Sequence, residues 1–269
     1  MRTLLLMCAV LAPSLVLAGP YAPAAGLSGS TAIPYNSATI SGWATGVQDL
    51  VRGPMDISNP GLGLATYGSG ADALGPADAQ DDSLPVVSLG DGGQITLTFA
   101  RPIANGSGAD FAVFENGITD KFLELAFVEV SSDGTTFHRF HADSRTQTAT
   151  QVGPFDQSID ATDLYNLAGK YRRGFGTPFD LAELAGTPGL DINAVTQVRI
   201  VDVVGSINPA FGTRDFFGNL VNDPWPTAFD TGGFDLDAIG VLNFAPAPEP
   251  CTSLMLMSAA LIFAARRRR

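Results

Sequence analysis

Apolar and polar residues alternate along short stretches in the middle of the chain, which is the period expected of β-strands. In the stretch 94–99, Ile95, Leu97 and Phe99 fall on one face. Glycine and proline residues bound this stretch and mark turns. Similar stretches recur further along the chain, so we predict a series of short strands joined by turns. These strands are predicted over 94–99, 110–114, 126–131, 137–140, 195–204 and 234–241.

Helical patterns are weak by comparison. Only 160–167 and 178–184 predict one or two helical turns each, and the second turn has Thr177 as its cap and Pro178 at its first position. Strands do not alternate with helices, and no repeat of solenoid or propeller length is present. The pattern therefore predicts an all-β fold, an antiparallel β-sandwich of the jelly-roll type with one or two short helices.

The first 18 residues predict a secretory signal peptide. Arg2 supplies a positive charge and the stretch 4–17 is mostly apolar, which predicts a signal helix. Val16 and Ala18 are the small residues expected before a cleavage site, so cleavage is predicted after Ala18. We then expect 19–37, rich in Gly, Ala, Ser and Pro, to form a linker or a loose first strand.

The C-terminal segment 245–269 combines three features in order. The motif Pro248, Glu249 and Pro250 precedes a short apolar stretch, predicted as a hydrophobic helix. This stretch falls short of the ~20 residues that span a bilayer. The chain then ends in four arginines, which favour a cytoplasmic position. These are Arg266, Arg267, Arg268 and Arg269.

This order of features resembles the PEP-CTERM sorting signal. The resemblance implies a Gram-negative bacterial protein that is exported and transiently anchored in the inner membrane. It implies an exosortase that cuts near the Pro-Glu-Pro motif, with delivery to the cell surface or an extracellular exopolysaccharide matrix. A plain C-terminal anchor that stays in place is the alternative. Cys8 and Cys251 both lie in the end segments, so we expect the exported domain, 38–244, to hold no disulfide.

A second resemblance covers roughly residues 40–243. Its clearest segments run from Gly108 to Asn116, from Val198 to Val203 and from Gly233 to Ala238. In this order they resemble a family of bacterial cell-surface proteins that often end in PEP-CTERM signals. The resemblance implies a β-sandwich distantly similar to galactose-binding and discoidin-like jelly rolls, and it implies no particular activity.

Charge excludes one class of partner and suggests a cofactor. The net charge is −12 and acidic residues outnumber Lys and Arg by 27 to 15, so a nucleic-acid partner is not expected. The acids comprise 22 Asp and 5 Glu. Short carboxylates in loops suit Ca²⁺, which takes six to eight oxygen ligands.

The strongest candidate metal ligands are Asp235 and Asp237. At a spacing of two they leave the same face of the predicted strand, while Leu236 and Ala238 face the core. Two carboxylates this close repel each other unless a cation lies between them. Calcium would supply that cation, and so would Arg199. A solvated strand face is the third reading.

Glu115 and Asn116 are further candidate ligands, because they end a predicted strand just before Gly117. A carboxylate and an amide at such a turn can bind metal, bind sugar hydroxyls or close the turn. Trp225, between two prolines, is the candidate ligand-binding aromatic. Its alternative role is to cap the core.

Catalytic signatures are lacking in the sequence. His138 and His141 do not belong to an H-E-x-x-H motif and are expected in or beside a surface strand. We therefore expect a non-catalytic module of the cell surface or matrix that binds calcium, extracellular polysaccharide or both. A purely structural or adhesive matrix component is one alternative. A secreted glycoside hydrolase is the other, and it would need two carboxylates ~5–9.5 Å apart across a cleft.

Overall fold

The fold is known from a computed structural model that describes residues 18–79 and 85–247. The predicted signal helix (1–17) and the motif, hydrophobic helix and arginines of the predicted sorting signal (248–269) lie outside the described residues. Ala18, the predicted cleavage residue, is the first described residue and is exposed.

The described chain is almost entirely strand, turn and loop. Four short 3₁₀ turns are its helical elements, at Pro60–Leu62, Gly70–Ala73, Ala161–Asp163 and Leu181–Leu184. The strands are β1 Ile33–Pro34, β2 Gly42–Val51, β3 Val87–Ser88, β4 Gln94–Ile103, β5 Phe111–Glu115, β6 Ala126–Ser131, β7 His138–Arg139, β8 Asp143–Ser144, β9 Leu164–Tyr165, β10 Phe175–Phe179, β11 Val195–Asp202 and β12 Asp235–Val241.

All strand pairs are antiparallel, and one curled sheet contains most of them. Its order is β1-β10-β5-β12-β2-β4-β11-β6-β7, with β3 paired to β12, while β8 and β9 form a separate pair. The long strand β2 joins the two halves of the sheet. Its first residues, Gly42 and Trp43, pair with β12, and the stretch from Ala44 to Val51 pairs with β4. The sheet thereby folds over itself, and the all-β sandwich is confirmed.

The main core lies between these two halves. Phe111 and Ile239 from one half and Ile95, Val128 and Val198 from the other are all fully buried in one cluster. Burying each such side chain stabilises the fold by about 1.5–3 kcal/mol. A second cluster includes Leu123, Leu125, Leu164 and Val203, and it holds the segment that leads into β6.

The predicted strands are confirmed, with ends that shift by a few residues. The sequence did not predict β2, whose residues Gly42–Val51 are mostly exposed or half-buried. Its pairing with β4 also shifts register between Ala44 and Gly46 and again between Val47 and Asp49. These bulges break the alternation by which a strand is recognised.

The prediction of a helix over 178–184 was wrong at its start. Thr177 and Pro178 belong to β10, and Asp180 is the cap of the following turn, since its side chain accepts from the Ala182 amide. Packing outweighs the capping pattern here. The Phe179 ring stacks on Phe111 at 5.3 Å between ring centroids and lies fully inside the core.

The segment 19–37 is tied to the sandwich along its length. It contains edge strand β1, which pairs with β10. The Tyr21 hydroxyl donates to Asp143, and the hydroxyls of Thr31 and Tyr171 lie 2.9 Å apart. Across 18–79 and 85–247, no helix has the length and apolar character needed to span a membrane.

Candidate acidic binding pocket

A small cavity opens where β5 ends, β12 begins and the segment before β6 passes. Its volume is about 160 Å³. Three of its buried lining residues carry a carboxyl or amide group, namely Asn116, Glu124 and Asp235. We call this cavity the acidic pocket. Its other lining residues are Tyr67, Ile118, Phe122, Pro154, Phe155, Thr227, Phe229 and Thr231.

Sheet pairing brings three of the four predicted metal ligands together. Leu236 pairs with Glu115, which places the end of β5 beside the start of β12. The Asn116 side-chain amide then donates to the Asp235 carboxylate at 2.9 Å. The Ser88 hydroxyl donates to the other Asp235 oxygen. Asp235 is therefore held in position from two sides.

Glu115 closes its turn and still keeps one oxygen without a partner. Its Oε2 accepts from the Gly117 backbone amide at 2.7 Å. A side chain at position 117 would meet this oxygen, because a Cβ there would lie 2.7 Å from Oε2. Glu115 Oε1 is buried and accepts no hydrogen bond from the described chain. Turn closure thus uses only one of the two carboxylate oxygens of Glu115.

Asp237 does not line the acidic pocket, although its charge also acts on Glu115. The alternative of a solvated strand face was wrong, because this aspartate and Asp235 are both buried. The pairing of β12 with β5 shifts register between Leu236 and Ala238, so that Asp237 occupies a bulge. Leu236 packs in the main core and Ala238 in a different cluster. The Asp237 carboxylate instead accepts from backbone amides of the loop before β3, at 3.1 and 3.4 Å.

Arg199 does not pair with these aspartates, which corrects the second reading of the Asp235 and Asp237 pair. Its guanidinium lies 3.5 Å from Glu129 and 3.4 Å from the centroid of the Phe137 ring. Arg52 is the cation that acts on Asp235 through charge. The Arg52 guanidinium nevertheless donates its hydrogen bonds to backbone carbonyls, including that of Gly68 at 2.7 Å.

Glu124 is the pocket residue that sequence reasoning missed. Its neighbours Leu123 and Leu125 are fully buried in the second cluster, so in an extended chain Glu124 faces the opposite side. It is 8% exposed, and its carboxylate accepts no hydrogen bond from the described residues. The sequence pattern that could have identified this residue is a glutamate between two leucines in an apolar stretch.

Burial and mutual repulsion make these carboxylates hard to ionise. Burial raises the pKa of Glu124 well above its usual range, and the Asp235 charge raises it further. Glu115 is affected in the same way. Burial also raises the pKa of Asp235 to about 7, although Ser88, Asn116 and Arg52 oppose the shift. The pocket therefore groups carboxyl groups whose ionised forms would have little compensation.

Other buried acids nearby have full structural roles. Asp202 accepts from the Phe234 amide at 2.7 Å and from the Gly92 amide at 2.8 Å. Asp223 accepts from the Leu125 amide at 2.9 Å and so fixes the backbone beside Glu124. These carboxylates hold loops in place and do not line the acidic pocket.

Trp225 is half-buried and does not line the acidic pocket. Its indole N–H donates to Asp91 at 3.0 Å, and its ring stacks near Phe211. The residues that follow it do reach the pocket, because Thr227 and Phe229 are lining residues. The exposed aromatic side chains at the pocket are therefore phenylalanines and do not include Trp225.

The two histidines lie on another part of the surface. His138 is in β7, and the His141 ring stacks on Phe216 at 3.8 Å between ring centroids. Within residues 18–79 and 85–247, no three His, Cys, Asp or Glu side chains are arranged to hold a metal ion among themselves. Calcium binding stays a prediction at this point.

No protein-family model matches the chain, and no curated protein shows significant similarity to it.

Proposed function

We propose that this protein is an exported, non-catalytic binding module of the cell surface or exopolysaccharide matrix, and that it binds carbohydrate in the acidic pocket. The terminal sequence patterns support export through a PEP-CTERM type of signal, with secretion machinery and an exosortase as processing partners. The observation that carries the binding proposal is an exposed aromatic pair beside a buried polar floor.

The aromatic pair consists of Phe155 and Phe229. Their rings stack with centroids 5.5 Å apart, and Phe155 is 73% exposed. Exposed aromatic faces of this kind are costly in water unless a partner covers them. The apolar face of a sugar ring provides such a partner, because its C–H groups contact an aromatic face while its hydroxyls remain free to hydrogen-bond.

The floor supplies the complementary polar groups. The Glu124 carboxylate has unused acceptor capacity, and the side chains of Thr227 and Thr231 bring hydroxyls to the same pocket. A few convergent polar groups within an otherwise apolar cavity are typical of small-ligand sites. The cavity of about 160 Å³ suits one sugar residue of a longer chain.

Titration of the full chain with a panel of neutral and acidic bacterial exopolysaccharides tests the proposal. We expect binding to at least one of them, and we expect Phe155→Ala to weaken it about tenfold, the equivalent of about 1.4 kcal/mol. Phe217→Ala is the matched control, since Phe217 is 66% exposed but lies outside the pocket.

Equal binding by both variants would contradict the proposed site. Failure of the wild-type chain to bind any polysaccharide would favour the purely structural role. Shortening of a polysaccharide during the titration would instead favour the hydrolase.

A further inference from the structure

We propose that the acidic pocket holds a divalent cation of the calcium class, bound by Glu124 and Asp235 and left open for sugar hydroxyls to complete its coordination. The cation site stands on the geometry of the pocket alone. Only its use in sugar contact rests on the proposed function.

The first argument is uncompensated charge. Glu115, Glu124 and Asp235 are each more than nine-tenths buried, and each acts electrostatically on another member of the group. Arg52 is the one cation among the described residues whose charge acts on Asp235, and its guanidinium hydrogen bonds go to carbonyl groups. Buried carboxylates of this kind need protonation or a bound cation.

The second argument is the number of oxygens without a partner. Glu124 accepts no hydrogen bond from the described chain although it lines the cavity. Glu115 Oε1 is buried and unpartnered close by. The Asn116 side-chain N–H donates a hydrogen bond to Asp235. The side-chain oxygen of Asn116 is therefore left as a further acceptor. Glu115 Oε1 in particular is shut off from solvent, and such buried atoms normally have a hydrogen-bond partner.

The third argument concerns the kind of cation. The pocket offers carboxylate, amide and hydroxyl oxygens and no Cys or His among its lining residues. Oxygen ligands suit Ca²⁺, which tolerates irregular geometry and six to eight ligands, whereas Mg²⁺ requires a near-ideal octahedron. Bound water is a common part of a calcium coordination shell.

Two carboxylates, those of Glu124 and Asp235, line the acidic pocket. A cation held by two carboxylates keeps several positions open. In this proposal, water occupies these positions until two adjacent hydroxyls of a sugar replace it when a polysaccharide binds.

Thermal unfolding of the full chain, with chelator or with added CaCl₂, tests the cation site without any sugar. Extracellular calcium modules bind with Kd values of about 10⁻⁴–10⁻³ M. Calcium at 100 times its Kd should raise the unfolding midpoint by about 5–11 °C. No shift at any calcium concentration up to that level would overturn the proposal.

The variant Glu124→Gln tests whether the calcium-dependent rise in the unfolding midpoint comes from the acidic pocket. This variant keeps the shape of the side chain and removes an unpaired buried charge, so in chelator it should unfold at a temperature equal to or above that of the wild type. The calcium-dependent shift should be lost. Glu183→Gln is the matched control, because Glu183 is exposed and lies outside the acidic pocket. An equal calcium shift in wild type and Glu124→Gln would place the ion elsewhere and overturn the proposal.

Sugar binding measured in chelator and in calcium separates this inference from the proposed function. Calcium binding without sugar binding would leave the cation site standing and remove the proposed function. Sugar binding that is unchanged by chelator would support the function and overturn the role of the cation in it.

Discussion

The buried carboxylates of this protein differ most in the number of hydrogen bonds that their oxygens accept. Asp110 accepts from the Gly106 amide at 2.7 Å, the Leu181 amide at 2.8 Å and the Asn243 side chain at 2.9 Å. Glu124, which is 8% exposed whereas Asp110 is fully buried, accepts nothing from the described residues. A carboxylate like Asp110 stabilises the fold, whereas one like Glu124 costs stability, and we propose that a bound ligand offsets this cost.

We expect Asp110→Ala to destabilise the protein by about 2–4 kcal/mol, because it leaves several donors unsatisfied where water has poor access. Asp180→Ala is the comparison, since Asp180 caps a single amide of an exposed turn, and such a cap is worth about 0.5–2 kcal/mol. Denaturant unfolding measures both. A smaller loss for Asp110→Ala than for Asp180→Ala would contradict this view of the buried carboxylates.

At the scale of elements, alternation identified the strands that build the pocket. The ends predicted for β5 and β12 placed Glu115, Asn116 and Asp235 close to their true positions. The bulge that separates Asp237 from them was not predictable, because a register shift depends on the partner strand and leaves no local mark. Glu124 precedes the predicted start of β6, and its orientation is set by the burial of Leu123 and Leu125, which only the tertiary fold reveals.

Gly169 positions this same segment and gives an element-scale prediction. It has a φ of +80°, and a Cβ at this position would lie 1.8 Å from the Glu124 carbonyl oxygen. Gly169→Ala therefore forces the segment before β6 to move, at an expected cost of at least about 2 kcal/mol in the free energy of unfolding.

Gly186→Ala controls for backbone strain alone, because Gly186 has a φ of +81° with nothing within 4 Å of its added Cβ. Denaturant unfolding compares the two variants. If they lose the same stability, the close approach of Gly169 to Glu124 has no energetic importance.

At the scale of the whole molecule, the sandwich supports a strongly acidic interior at one end of β12. The fold class followed from the sequence because alternation and turn residues are local properties. The concentration of buried charge did not follow, since it arises from residues that are far apart in the chain. The cost of that charge depends on pH, which makes the account testable without a ligand.

Burial raises the pKa of Asp235 and of Asp237 from 3.8 to about 7. Between these values the folded chain binds more protons than the unfolded chain, so the free energy of unfolding falls as pH rises. Asp133 and Asp160 have lowered pKa values, so they change charge below this range. In a protein whose carboxylates were all paired, stability would change little between pH 5 and pH 7.5, because such groups are ionised in both the folded and the unfolded chain.

The most direct measurement is therefore denaturant unfolding of the full chain in chelator at pH 5 and at pH 7.5. We predict that the free energy of unfolding is higher at pH 5 by at least about 2 kcal/mol, and that added calcium stabilises the protein more at pH 7.5 than at pH 5. A free energy of unfolding that is equal at the two pH values, or higher at pH 7.5, in chelator would show that the buried carboxylates are already compensated, and it would contradict the account of the acidic pocket as a ligand site.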